Sequence, residues 1–355
     1  MKNTKYKVIG VIFTLLFTAA SCNLFGQTVI RGVVKTTNGG ADWQFANSVK
    51  GSKTANISGD NISSLAFDPR NPEHLFAGTF NDGLYKSENS GDAWQRILSR
   101  FSVLDTAVNP FNSDIIYAAG FFDTHGRVLK TSDGGKSWVE IFSEASQNNP
   151  VRSLTLNPLN PEELVIGLGS GDIVKSTDGG STWRLLASYG DITSKVRWVP
   201  SGIYVVMRTK GIFKSTDGGT SFQEITKSLQ SASNFIGISI SSTVVQEFYQ
   251  LAVSNTDSQL IYMTTNSGLF KTGDGGSHWN FIPLPLRKKE VPATAVAISP
   301  QSDNVVYASA ASVIYKTTDA GNHWQTQNSH TEGTISVLLV HPQLPQIVFA
   351  GIFSQ

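Results

Sequence analysis

The residues with the most chemical promise in this chain recur at one position of one phrase. Asn38, Asn89, Asp133, Asp178, Asp217, Asp274 and Asp319 each occupy the fifth place of a ten-residue pattern that occurs seven times. The clearest copy is Val174-Lys175-Ser176-Thr177-Asp178-Gly179-Gly180-Ser181-Thr182-Trp183. A carboxylate beside a hydroxyl could ligate or catalyse. Seven near-identical copies instead point to a duty that every copy shares, and that duty is structural. The Lys before the Ser/Thr is equally regular, at 35, 86, 130, 175, 214, 271 and 316. A ring of ammonium groups can attract a polyanion. The plainer expectation is that each stem lies on a neighbouring strand with its head in water. Elsewhere the chemistry is sparse. The six His are scattered, at 74, 125, 278, 323, 330 and 341, so no metal site is expected. There is no Gly-Lys-Ser/Thr phosphate loop. Gly169-Ser170-Gly171 lacks the spacing of a nucleophile elbow. No cofactor is expected.

The phrase is built to turn. Asp-Gly or Gly-Gly between apolar runs is a hairpin signal, because the turn needs φ > 0 and glycine supplies it without a steric penalty. The Asp oxygen accepts backbone N–H groups further along the turn. The Trp is a large plate with one donor, suited to wedging between sheets. Around each hairpin a longer unit repeats: strand, turn, strand, short loop, hairpin. Asp68-Pro69, Asn109-Pro110, Asn157-Pro158, Ser299-Pro300 and His341-Pro342 mark its first turn. Each unit supplies four short strands, one blade of an all-β propeller. The aromatic anchors at 43, 94, 138, 183, 222, 279 and 324 are 39 to 57 residues apart, a blade-like period. The chain begins with a hairpin that lacks a preceding strand pair, Val29 to Lys35 and Trp43 to Ala46. It ends with a pair that lacks a hairpin, Thr334 to Val340 and Gln346 to Gly351. Together they make the seventh of seven four-stranded blades, closing the ring and removing its open edges.

The phrase resembles the Asp-box, or BNR repeat, with its pattern Ser-x-Asp-x-Gly-x-x-Trp. Four copies carry Asp-Gly-Gly, at Asp133, Asp178, Asp217 and Asp274; Asn38 and Asn89 replace Asp, and Phe222 replaces Trp. The resemblance implies a β-propeller with the box at the turn between third and fourth strands, on the face away from any active site. Such propellers occur in sialidases, xyloglucanase-type glycoside hydrolases, sortilin-like receptors and photosystem assembly factors. The Arg-Ile-Pro motif of sialidases is absent, since Arg31 is followed by Gly32-Val33. Xyloglucanase-type enzymes hold polymer between two propellers, and this sequence supplies one. The ten blades and cysteine-rich module of sortilin-like receptors are missing.

Function is therefore expected on the opposite face, where loops between second and third strands and between blades surround the channel mouth. Asp60, Asp82, Asp123, Arg152, Asp191, Arg197, Tyr249 and Glu290 are the candidates there. A glycosidase would need two of those carboxylates at a set separation. None is distinguished by spacing. Two connectors are long, one holding Phe235 to Ile240 and one holding Arg287-Lys288-Lys289-Glu290.

The N-terminus reads as a targeting segment. Lys2, Lys5 and Lys7 precede an apolar run from Val8 to Leu16, too short to span a bilayer. Ala19-Ala20-Ser21-Cys22 resembles a lipobox, and Cys22 is the only cysteine. Cleavage after Ser21 or Gly26 is the ordinary alternative. Residues 1–22 are thus expected to be a signal peptide, cut as late as 26, and 28–355 a single propeller. With net charge +1 and 15% charged residues, nothing points to nucleic acid. The expected protein is an exported bacterial monomer: periplasmic, an outer-membrane lipoprotein or secreted. It would bind a protein or a glycan, with any membrane contact made through the lipid. The alternative is a glycan-active hydrolase of xyloglucanase or sialidase type.

Overall fold

The computed structural model describes residues 31–231, 245–286, 291–327, 329, 331 and 333–354. Seven four-stranded antiparallel sheets form the blades of a β-propeller. Blades 1 to 6 are continuous: 62–98, 102–147, 151–188, 193–224, 248–282 and 293–327. Blade 7 takes its inner strands, Thr334–Val340 and Val348–Phe353, from one end of the chain. Its outer strands, Gly32–Thr36 and Gln44–Phe45, come from the other. The closing register pairs Gly32 with Ile352 and Thr36 with Val348. The expected hairpin thus closes the ring; its first residues, Val29 and Ile30, lie outside the described residues, as do Phe235 to Ile240.

Each second strand has a run of five buried residues, as in Leu75–Thr79, Leu164–Leu168 and Ile261–Thr265. These runs are apolar on both faces because a neighbouring blade covers each face. The outermost strand of each blade is mostly exposed or half-buried, for example Arg184–Ser188.

One irregularity repeats around the axis. Every inner strand skips one residue in its pairing near the loop end: Ser63, Leu104, Arg152, Ser194, Tyr249, Thr294 and Ser336. A bulge of this kind re-aims a side chain. Four of the seven use that freedom to reach the inner strand of the next blade. Ser63 donates to the Val103 carbonyl. Arg152 reaches the Thr193 carbonyl at 3.0 Å, Ser194 that of Phe248 at 2.8 Å, and Ser336 that of Ile62 at 2.6 Å.

Candidate functional site

The repeated turn spends its chemistry on itself. In blade 3 the Ser176 hydroxyl donates to Asp178 Oδ1 at 2.8 Å and accepts the Gly180 N–H at 2.9 Å. Asp178 Oδ1 also takes the Thr182 N–H at 2.8 Å, and Oδ2 takes the Thr182 hydroxyl at 2.6 Å. These bonds, the Thr182 hydroxyl first, hold the Asp178 carboxyl down to about 2. The carboxyls of Asp133, Asp217, Asp274 and Asp319 are depressed in the same way. Asn38 and Asn89 keep the acceptor without the charge, each taking its Thr or Ser hydroxyl at 2.9 Å. Where the first turn glycine is replaced, Ser90 and Ala320 adopt φ of 53° and 57°. The turn tolerates that strain because both of its ends are tied.

The turns also stitch blade to blade, in both directions. The Trp reaches back to the carbonyl three residues beyond the preceding anchor. Trp94 bonds Ala46 at 2.6 Å, Trp138 bonds Ile97 at 2.9 Å, Trp183 bonds Ile141 at 2.8 Å and Trp279 bonds Ile225 at 2.8 Å. The Lys reaches forward to the carbonyl after the next turn's Asp or Asn. Lys35 bonds Ser90, Lys130 Gly179, Lys175 Gly218, Lys271 Ala320 and Lys316 Gly39, at 2.7–3.2 Å. Every seam carries at least one of the two stitches. The expectation of lysine heads left in water is therefore corrected: five of them cap a turn of the next blade. Lys86 instead turns to Glu88 at 3.1 Å. It lines a pocket of about 250 Å³ with Lys50, Glu88, Asn89, Ala93 and Gln95.

The loop-face candidates separate into groups. Asp60 and Asp82 meet at the seam of blades 7 and 1. Tyr85 donates its hydroxyl to Asp82, and Arg96 bridges Asp82 at 2.5 Å. Burial first, then the charge of Asp82, pushes the Asp60 carboxyl up to about 6, against the pull of Arg96. Asp123 is an exposed turn residue with φ 54°. Asp191 is consumed locally, its Oδ2 accepting the N–H groups of Thr209 and Lys210 at 2.7 and 3.0 Å. Glu290 lies outside the described residues.

Arg152 and Tyr249, second residues of their inner strands, stand at the channel mouth. Arg208 joins them. Its guanidinium takes Glu247 through two contacts of 3.3 Å and lies 5.7 Å from the centre of the Tyr249 ring. The Tyr249 hydroxyl donates to Glu247 at 2.8 Å. Burial, and secondarily the Arg208 charge, press the Arg152 pKa below its usual value. Arg197 is a correction. It sits five residues into Thr193–Val199, towards the far end of that strand, so it belongs to the channel and not to the loops.

Below the mouth lies a network that sequence reasoning missed. Asp105 is buried in the inner strand of blade 2. It accepts the Ser153 hydroxyl at 2.6 Å and the Leu154 N–H at 3.0 Å from blade 3, and Lys195 from blade 4 at 2.7 Å. One carboxylate thus ties three blades. Opposite, Gln250 of blade 5 reaches the Ser336 carbonyl of blade 7 at 2.7 Å. The available signal was a charged residue in the middle of an otherwise uncharged inner strand. Among the described residues no group of three or more His, Cys, Asp or Glu is placed to hold a metal ion.

This blade architecture and its repeated turn decide the fold class. The chain is a seven-bladed β-propeller with BNR-type repeats. A family model described as "Photosynthesis system II assembly factor YCF48" matches residues 245–342. A xyloglucanase from Hypocrea jecorina (strain QM6a) is 25% identical over 150 residues, 36% of this chain and 18% of that one. The GH74 enzyme structure from Niastella koreensis superposes with a TM-score of 0.65 at 19% identity, covering 82% of this chain and 51% of its own. A structure of YCF48 bound to D1 peptide gives 0.60 at 18% identity, covering 83% and 93%. YCF48 from Cyanidioschyzon merolae gives 0.62 at 14%, covering 82% and 96%. At these identities the likeness of the solved structures is one of fold. The BNR-type propeller spans about half of the GH74 chain and less than a fifth of the xyloglucanase.

Proposed function

We propose that this propeller is a binding or assembly module that engages a protein partner through its loop face. One observation carries the reading. The turn face is spent on internal bonds, whereas the loop face gathers Arg152, Arg208, Glu247 and Tyr249 at the channel mouth. A rigid ring that displays charged and aromatic side chains suits recognition. The solved YCF48 that carries D1 peptide supports the same kind of partner. Export, with tethering through Cys22, is part of this reading. Face-resolved crosslinking tests it. A photo-crosslinking residue at Asp123 or Lys210 should capture a partner in the native host, and one at Lys136 or Asn322 should not. Capture from the turn face alone, or from neither, would refute it.

A second reading rests on the Asp60 carboxyl. Raised to about 6 beside an ion-paired Asp82, it has the character of a general acid next to a second carboxylate. A glycan-active enzyme would use that pair. Release of reducing ends from xyloglucan by the wild type, lost in Asp60→Asn, supports this alternative; no release from a glycan panel removes it.

A further inference from the structure

The inner strands carry more positive charge than they neutralise, and the imbalance has an address. Lys195 and Arg197 are two residues apart on Thr193–Val199, so they project from the same side of that strand. Lys195 reaches blade 2 across blade 3, which shows that this side opens on the channel. Asp105 is the nearby carboxylate, and its ion pair is made with Lys195. Oδ2 accepts Ser153, Leu154 and Lys195, and Oδ1 accepts the Thr106 N–H at 3.1 Å. Arg197 retains an exposed side chain and is nevertheless surrounded by protein, as a residue inside a channel is. Among the described residues its side chain makes no hydrogen bond and no salt bridge. A guanidinium presents five donors in a fixed planar fork matched to an oxyanion. Arg152, at the mouth, bonds only the Thr193 carbonyl through Nε. Arg208 is matched by Glu247 and Lys195 by Asp105, so Arg152 and Arg197 are the uncompensated charges.

We infer that the channel is an oxyanion-binding site, with Arg197 as the bidentate anchor and Arg152 as the electrostatic entrance. The ligand class is a small oxyanion, either free and tetrahedral, such as phosphate or sulfate, or a carboxylate. The surroundings support this. Desolvation presses the pKa of both arginines downward, and Asp105 pulls that of Arg197 back. An unpaired guanidinium leaves its donors free for an anion that enters with good geometry, and charge-assisted bonds of that kind are the strong ones. The site needs no assumption about what the loop face binds.

The test is anion titration of the purified chain at constant ionic strength, with chloride as the balancing salt. Phosphate, sulfate and acetate are the probes, read by melting temperature and by equilibrium dialysis of labelled sulfate. Binding to the native state alone raises the melting temperature saturably, in contrast to the unsaturated rise caused by excluded salts. Wild type should show saturation in the millimolar range. Arg197→Gln should abolish it, Arg152→Gln should raise the Kd at least tenfold, and Lys53→Gln, outside the channel, should leave it unchanged. In chloride alone Arg197→Gln should melt no lower than wild type, because it removes an uncompensated cation; a residue with only a packing role would lower it. A stronger response to acetate than to phosphate identifies a carboxylate ligand, and the reverse a free oxyanion. Equal responses of wild type and Arg197→Gln, or no saturable binding to any probe, would overturn the site.

Discussion

Trp94 offers the sharpest test of how the ring holds together. Its side chain is fully buried, packed with Val33, Ala46, Ile57, Leu75 and Phe349 at the seam between the closing blade and blade 1. A tryptophan buries roughly 150–250 Å², worth about 4–6 kcal/mol at ~25 cal/mol per Å². Truncation to alanine in a packed core costs about 3–5 kcal/mol, since the site collapses in part. A second term is the bond from Nε1 to the Ala46 carbonyl. Trp94→Phe keeps most of the apolar area and removes that donor, which should cost about 1–3 kcal/mol beyond the change in packing. Trp43 supplies the control. It is also buried, and its Nε1 has no partner among the described residues. Trp43→Phe removes an orphaned donor and should cost distinctly less than Trp94→Phe. Urea unfolding monitored by circular dichroism measures both. Hydrogen exchange at 32–36, the outer strand of the closing blade, should accelerate in Trp94→Ala, because its neighbour across the seam is gone. If Trp94→Phe costs no more than Trp43→Phe, the backward stitch contributes nothing and the argument fails.

Four further outcomes are expected. Asp105→Ala and Lys195→Met should each cost about 3–5 kcal/mol by stranding a buried partner, and the double variant should cost at least ~1 kcal/mol less than their sum; additive losses would refute the pairing. Asp60, with its folded pKa raised from 3.8 to about 6, should favour the folded state most below about pH 4 and progressively less up to about pH 6; Asp60→Asn should remove that decline. Asp178, depressed from 3.8 to about 2, acts oppositely, its contribution being lost as pH falls below about 4. Mass spectrometry of natively expressed protein should find a lipid on Cys22, and amine labelling on intact cells should then modify exposed Lys136 of the turn face before Lys210 of the loop face.

The blade count and the closure were legible because both rest on local pattern. A turn needs its hydroxyl, carboxylate and glycine within a few residues, so seven copies announce themselves. The stitches were not legible, since each joins atoms one blade apart: Lys175 meets Gly218 and Trp183 meets Ile141. Nor was the channel network, where Asp105 and Lys195 come from non-adjacent blades and meet only because the ring curves. Arg197 was read as a loop residue because sequence marks where a strand starts, while depth along the channel depends on the register of that strand. Asp191 looked like a free acid until the structure placed Thr209 and Lys210 against it.

The opposed stitches bear on how such a chain can grow. Blades 2, 3 and 5 each carry a donor that faces backward and a donor that faces forward, and every other seam is closed by the stitches its neighbours supply. A blade with both donors is thus a unit with matching head and tail. Duplicating such a blade brings along both halves of the new joint, so no fresh stitch must be invented when the number of copies changes. The turns are alike from blade to blade, whereas the contacts at the axis differ, as Asp105 with Lys195 and Gln250 with Ser336 show. A change in the number of blades would leave the turns that make the repeat recognisable intact and would have to rebuild those axial contacts.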